Sequence, residues 1–115
     1  MKRGDVVRVD LPRPAGAPGH EQFGERPAVV IQVNDALAPL STVVVVPLTS
    51  NQRALAFAES FHVTPSPTNG LEVPSVALTS QVRAIDVKRV ARVMGQLGDD
   101  DMRQLEASLR RLLGL

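Results

Sequence analysis

Between Asp5 and Leu11 apolar and polar side chains alternate, with Val7, Val9 and Leu11 on one face and Arg8 and Asp10 on the other, the period-two pattern of a half-buried strand. Residues 12–19 hold Pro12, Pro14, Gly16, Pro18 and Gly19, which cannot continue a ladder and predict a surface loop. Residues 27–33 are apolar on both faces and β-branched, as in a strand lying centrally in a core. Asn34, Asp35, Ala36 and Leu37 suit a short helical turn that Pro39 stops. Residues 42–48 carry four consecutive valines, and Pro47 is expected to confine the end of that strand to an edge or a bulge.

The second half reads in the same way. Residues 52–58 are small and polar enough for a mobile loop, and residues 60–64 alternate again as a short strand. Residues 64–70 form a turn cluster in which Asn69 and Gly70 are able to take positive φ. A long strand is expected over residues 75–83, a brief turn over 86–89 and a last strand over 90–97 with Arg92 outward. Asp99, Asp100 and Asp101 then place negative charge at a helix N-terminus, Met102, Leu105, Leu109 and Leu112 recur at helical spacing, Arg110 and Arg111 complement the far end and Gly114 closes it. The order is five to seven short strands and one C-terminal amphipathic helix, so the fold class is mainly β, without the β-α alternation of a parallel sheet.

Composition narrows the picture. With 115 residues, 43% of them hydrophobic, the chain suits one compact domain over residues 1–115. It has no cysteine, which removes disulfides and thiolate metal sites. The N-terminus lacks the apolar segment of a signal peptide and no apolar run approaches the roughly 18 residues of a membrane span, so a cytoplasmic location is expected. A formal charge of +1 is too small for diffuse attraction to nucleic acid, and any phosphate site must be local. All of the 13 basic residues except Lys2 and Lys88 are arginine, the side chain suited to shaped, bidentate phosphate contacts. Phe23, Phe57 and Phe61 are the only aromatic residues, enough to stack one or two bases but not to build a broad platform.

Candidate chemistry concentrates at strand ends. The glycine-bracketed loop Gly19, His20, Glu21, Gln22, Phe23, Gly24, Glu25, Arg26 leads into the strand at residue 27, which would hold the Arg26 guanidinium in one orientation. The other polar groups of this kind are Thr49 and Ser50 after the valine run, and Ser80, Gln81 and Arg83 further on. No phosphate-binding glycine loop, zinc-protease motif or nucleophile elbow is present. Two histidines without cysteine make a metal site improbable, and neither metal nor cofactor is expected. His20 has the ordinary pKa suited to proton transfer. Phe23 would either stack on a base or pack on a partner subunit, Gln81 and Arg83 would either brace the loop or touch the ligand, Asp86 suits a turn cap and His62 a solvated strand face.

Four blocks occur in order: Lys2, Arg3, Gly4, Asp5, Val6; the loop G-H-E-Q-x-G-x-R-P-A-V-V from Gly19 to Val30; V-V-P-L-T-S from Val45 to Ser50; and S-Q-V-R-A-I-D from Ser80 to Asp86. Together they resemble the MazF/PemK (Kid-like) toxin family, the mRNA interferases of type II toxin–antitoxin systems. The resemblance implies an SH3-like small β-barrel with a C-terminal helix, a homodimer, and a metal-independent, sequence-specific endoribonuclease checked by a cognate antitoxin protein. The substrate it implies is single-stranded RNA, cut by attack of the 2'-hydroxyl to leave a 2',3'-cyclic phosphate and a 5'-hydroxyl. The family's catalytic arginine and threonine fall on Arg26 and Thr49, with His20, Gln22, Phe23, Ser50, Ser80, Gln81 and Arg83 as supporting or RNA-binding residues. A Kid-like branch pairs a loop histidine with an arginine and an aspartate in a later strand, where this chain has Leu78 and Ser80, so His20 takes a supporting role. The alternative is a non-catalytic barrel of the same fold that acts by binding RNA or a protein target such as a topoisomerase.

Overall fold

A computed structural model describes residues 1–16, 19 and 22–115. Among these, seven strands pair antiparallel throughout: β1 (Asp5–Leu11), β2 (Gly24–Val30), β3 (Thr42–Thr49), β4 (Phe61–Val63), β5 (Ser75–Ala77), β6 (Arg83–Asp86) and β7 (Val90–Gln96). The path runs β4-β5-β3-β2-β1-β7, with β6 alongside β5 on the same edge of β3. A one-turn helix α1 (Asn34–Leu37) and a C-terminal helix α2 (Asp99–Leu113) complete the regular elements, with three 3-10 turns. The sheet is not closed by strand pairing, but the turn after β4 reaches its other end: Gln96 N donates to Thr68 O at 2.8 Å. The result is the small-barrel-like, mainly β fold with a C-terminal helix expected from the sequence.

Alternation in β1 and β2 divides the core between the two faces of the sheet. Val7, Val9 and Leu11 join Ala28, Val30, Val43, Val45 and Ile85, whereas Val6, Val29, Val46 and Leu48 pack with Phe61, Val63 and Leu105 of α2. The helix thus covers one face through the apolar stripe that its sequence showed; Leu105 is fully buried, and Met102 and Leu109 are partly so. Its ends also match expectation: three aspartates occupy the first turn, and Gly114 closes the helix at φ 71°, a left-handed position that glycine takes without strain.

Four elements differ from the sequence reading. The second strand begins at Gly24 rather than at residue 27 and ends at Val30, because the hairpin ladder with β1 continues through Asp10–Glu25 and Leu11–Gly24; Val33 lies beyond it, 59% exposed. Pro47 is in the best-paired strand, not at an edge. Its carbonyl accepts from Leu78 N at 2.9 Å, and since a strand residue's N–H and C=O point to the same edge, its donorless nitrogen faces the point where β3 exchanges β6 for β5. The long strand expected over residues 75–83 is broken there by a 3-10 turn, Thr79–Gln81, which carries the chain past Pro47 from β5 to β6. Residues 52–58, expected to be a mobile loop, hold the 3-10 helix Gln52–Ala56, capped by the Asn51 side chain accepting from Arg53 N.

In the turn over residues 64–70, Gly70 alone takes positive φ, at 72°. Asn69 contributes through its buried side chain: Oδ1 accepts from Ser66 N and Leu71 N, and Nδ2 donates to Thr64 O. Asp86 caps the 3-10 turn Val87–Arg89 by accepting from Lys88 N, and His62 is exposed on β4, both as read from the sequence.

Candidate active site

β2 and β3 pair as Val30–Val45, Val29–Val46 and Ala28–Pro47. Continued two residues further, this register sets Arg26 across from Thr49. The two side chains are therefore common walls of two adjoining cavities. One, of about 390 Å3, is lined on one side by Gln22, Phe23 and Arg26 and on the other by Thr49, Asn51, Arg53 and Phe57. The second, of about 280 Å3, is reached past Arg26, Thr49 and Ser50 and bounded by Arg8, Glu72 and Arg92. Arg26 thus lies within a strand and not at its mouth, as the sequence had suggested, which gives its backbone a fixed partner in Val9.

Local bonds orient both groups. Arg26 Nε donates to Phe23 O at 3.0 Å, which turns the guanidinium by one edge and leaves its terminal nitrogens to meet a ligand. Glu25 instead lies near Arg8, 3.8 Å away, and Arg26 makes no ion pair among the described residues. Thr49 is 5% exposed, and its Oγ1 accepts from Asn51 N at 3.2 Å. That bond uses one of the oxygen's lone pairs and leaves the hydroxyl proton available for a hydrogen bond of its own.

The remaining sequence candidates fall into two groups. Gln22, Phe23 and Ser50 stand with Arg26 and Thr49 around the two cavities. Ser80, Gln81 and Arg83 line a different cavity of about 450 Å3, with Pro12, Arg13 and Pro14 opposite. The two regions are coupled, because Gln22 N donates to Gln81 Oε1 at 2.8 Å and the Arg13 guanidinium lies 4.7 Å from the centre of the Phe23 ring, within cation–π range. Gln81 therefore braces the loop, one of the two roles left open for it. Of the two residues that stand where the Kid-like branch has its arginine and aspartate, Leu78 is fully buried and Ser80 is exposed. His20 lies outside the described residues.

Arg53 and Phe57, expected in a mobile loop, form with Asn51 the far wall of the 390 Å3 cavity. Their signal was present as an asparagine cap followed by the helix formers Gln52, Arg53, Ala54, Leu55 and Ala56. Arg8 and Arg92 of the smaller cavity were read only as outward strand residues. With Arg26 and Arg53 they put four arginines around the two cavities, beside Glu25 and Glu72.

A family model for the PemK-like, MazF-like toxins of type II toxin–antitoxin systems matches residues 2–113. The chain belongs to this family. Endoribonuclease MazF9 of Mycobacterium tuberculosis (strain ATCC 25618 / H37Rv) is similar over a 121-residue alignment at 35% identity, covering 100% of this chain and 98% of that protein. The crystal structure of MazF from Deinococcus radiodurans is 26% identical and superposes with a TM-score of 0.78 over 100% of this chain and 97% of that one. A MazE–MazF structure from the same organism is 25% identical, with a TM-score of 0.74 over 100% and 96% of the two chains. The MazF-like fold is thus shared from end to end, and Arg26 and Thr49 sit on the two strands, β2 and β3, that run through its centre.

Proposed function

We propose that this MazF-like toxin is a sequence-specific endoribonuclease that cuts single-stranded RNA at the wall shared by the two cavities. The observation that carries the reading is that Arg26 and Thr49, each oriented by a backbone partner, stand together between two nucleotide-sized spaces. A phosphate held there would have a nucleotide on each side. As the O2'–P bond forms and the P–O5' bond breaks, the 2'-hydroxyl gives up a proton and O5' gains one. Charge grows on the phosphoryl and leaving oxygens, where Arg26 supplies a fixed cation and Thr49 a fixed hydrogen-bond donor. Gln22 and Ser50 position the backbone on either side, and His20 keeps a supporting role in the same loop. DNA has no 2'-hydroxyl and would bind without being cut.

The test is incubation of purified protein with a long RNA in EDTA, followed by sequencing and end analysis. Discrete cuts with 2',3'-cyclic phosphate and 5'-hydroxyl ends, lost in Arg26→Ala and Thr49→Ala, support the assignment; folded wild-type protein that cuts no RNA rejects it. The MazE–MazF assembly of the D. radiodurans relative supports a cognate antitoxin as partner here, whose acidic segment would meet the arginines around the two cavities. A cytoplasmic homodimer completes the proposed assembly. No helix among the described residues is long and apolar enough to cross a membrane.

A further inference from the structure

Among the described residues Glu59 is the only one other than glycine with positive φ, at 61°. It is the third residue of the turn closed by Ser60 N donating to Phe57 O at 3.3 Å, where positive φ favours glycine or asparagine. A residue with a Cβ disfavours that conformation by roughly 5- to 150-fold and keeps it only where the surroundings impose it. Here a distant element supplies the constraint. Arg111 Nε of α2, 52 residues away in sequence, donates to Glu59 Oε1 at 2.8 Å, and Arg111 Nη2 donates to the buried Ser108 Oγ one turn back, at 3.4 Å. The helix itself is fixed by Leu105 in the core. The turn continues the segment that leaves Thr49: Asn51, then the 3-10 helix Gln52–Ala56, then Phe57, whose N–H donates to Ala54 O at 3.0 Å. Asn51, Arg53 and Phe57 of this segment are the far wall of the 390 Å3 cavity. Its near end is pinned by Asn51 N on Thr49 Oγ1 and Gln52 Nε2 on Pro74 O at 3.2 Å, and the Glu59–Arg111 pair fastens its far end to α2.

We propose that Glu59 and Arg111 are positioning residues for the candidate site: their ion pair holds the turn over residues 57–60 in its left-handed form and so sets the far wall of the 390 Å3 cavity for RNA. Neither side chain lines that cavity, so both act through the wall on substrate binding and not on the chemical step. This rests on the endoribonuclease reading. A pair whose side chains are 60% and 25% exposed contributes up to about 5-fold, and apparent affinity falls with the fraction of molecules whose wall is in place. The test measures kcat and KM on a short RNA containing a mapped cut, beside thermal unfolding. Glu59→Ala and Arg111→Ala should each raise KM about 2- to 5-fold with kcat little changed, and the double variant should be no worse than either single one. The shared sign is decisive, because by charge alone losing Glu59 would tighten binding of a polyanion and losing Arg111 would loosen it. Arg111→Lys should recover part of the loss, and Glu59→Gly, which takes positive φ without strain, should have a lower KM than Glu59→Ala. Opposite signs for the two alanine variants overturn the proposal, as does an unchanged KM beside a lowered Tm, which marks a purely structural tie. Wild-type protein that cuts no RNA at all overturns the endoribonuclease reading and this proposal with it.

Discussion

Thr49→Val separates the hydroxyl's chemistry from its packing. The substitution keeps the shape of a 5% exposed side chain and deletes one donor. A fixed donor aimed at developing charge contributes about 10²- to 10³-fold in rate, or about 2.7–4 kcal/mol of transition-state stabilisation. The structural cost is smaller. Asn51 N loses its 3.2 Å acceptor, but Asn51 is exposed, so water replaces the bond and stability changes by no more than about 1 kcal/mol. Single-turnover cleavage of an RNA with a known cut, run beside thermal unfolding, should therefore show a loss of about 10²-fold or more with a nearly unchanged Tm. Thr49→Ser should give the reverse pattern: activity within about tenfold of wild type, since the hydroxyl and its bond to Asn51 remain, and a stability loss of about 1 kcal/mol for the missing methyl. Thr49→Val cutting within about threefold of wild type would refute the donor role. Equal inactivity of both variants, while both are folded, would show that the hydroxyl is not sufficient and that the methyl group is needed beside it.

Arg26→Lys keeps the charge but loses both the Nε bond to Phe23 O and the planar fork, so kcat/KM should drop about 10- to 100-fold; wild-type cleavage by the lysine variant would show that a bare cation suffices. Gly95→Ala would set a Cβ 2.4 Å from Thr68 O and 2.6 Å from Asn69 C, backbone atoms of the turn that ties β4 to β7. Overpacking of this kind should cost about 2 kcal/mol or more, a fall of about 10 °C in Tm, and an unchanged Tm would refute the close approach. Burial first, and the neighbouring Asp100 second, hold the Asp101 carboxyl above its usual 3.8. The folded state thus binds this proton more tightly than the unfolded chain, and the associated stability is complete below 3.8 and lost as pH rises through the raised value. The Tm of Asp101→Asn relative to wild type should consequently be more favourable at pH 7 than at pH 3, with the opposite order counting against the shift.

What the sequence pattern reveals depends on whether a neighbour in the chain or a neighbour in space decides the structure. β1, β7, α1 and α2 carry their own signals in alternation, stripe and caps, and each appears within a residue or two of its expected place. The break at Thr79–Gln81 carries no such signal. Residues 75–83 have strand-like composition, and the turn arises because β3 presents one edge to two successive partners, β6 along residues 42–45 and β5 at Leu48 and Thr49. The start of β2 was hidden for a similar reason: Gly24, Glu25 and Arg26 look like loop until β1 offers Asp10 and Leu11 as partners.

The pairing of Arg26 with Thr49 is a matter of register, which two runs of valine cannot specify by themselves, because a slip of one residue exchanges the faces of a strand. Pro47 removes that freedom. Its nitrogen must face the edge where no donor is required; here that edge is the exchange between β6 and β5, and Val46 and Leu48 are left to present their backbone groups towards β2. Any odd slip would turn Pro47 towards β2 and forfeit a ladder bond. At the other end Ile31 N donates to Val44 O at 3.1 Å, and Gln32 Oε1 accepts from Val44 N at 3.0 Å, which opposes slips of two. Pro47, expected at an edge or a bulge, is thus a reason the ladder has one register, and that register is what sets Arg26 of β2 across from Thr49 of β3, 23 residues apart in sequence, as walls shared by the two cavities.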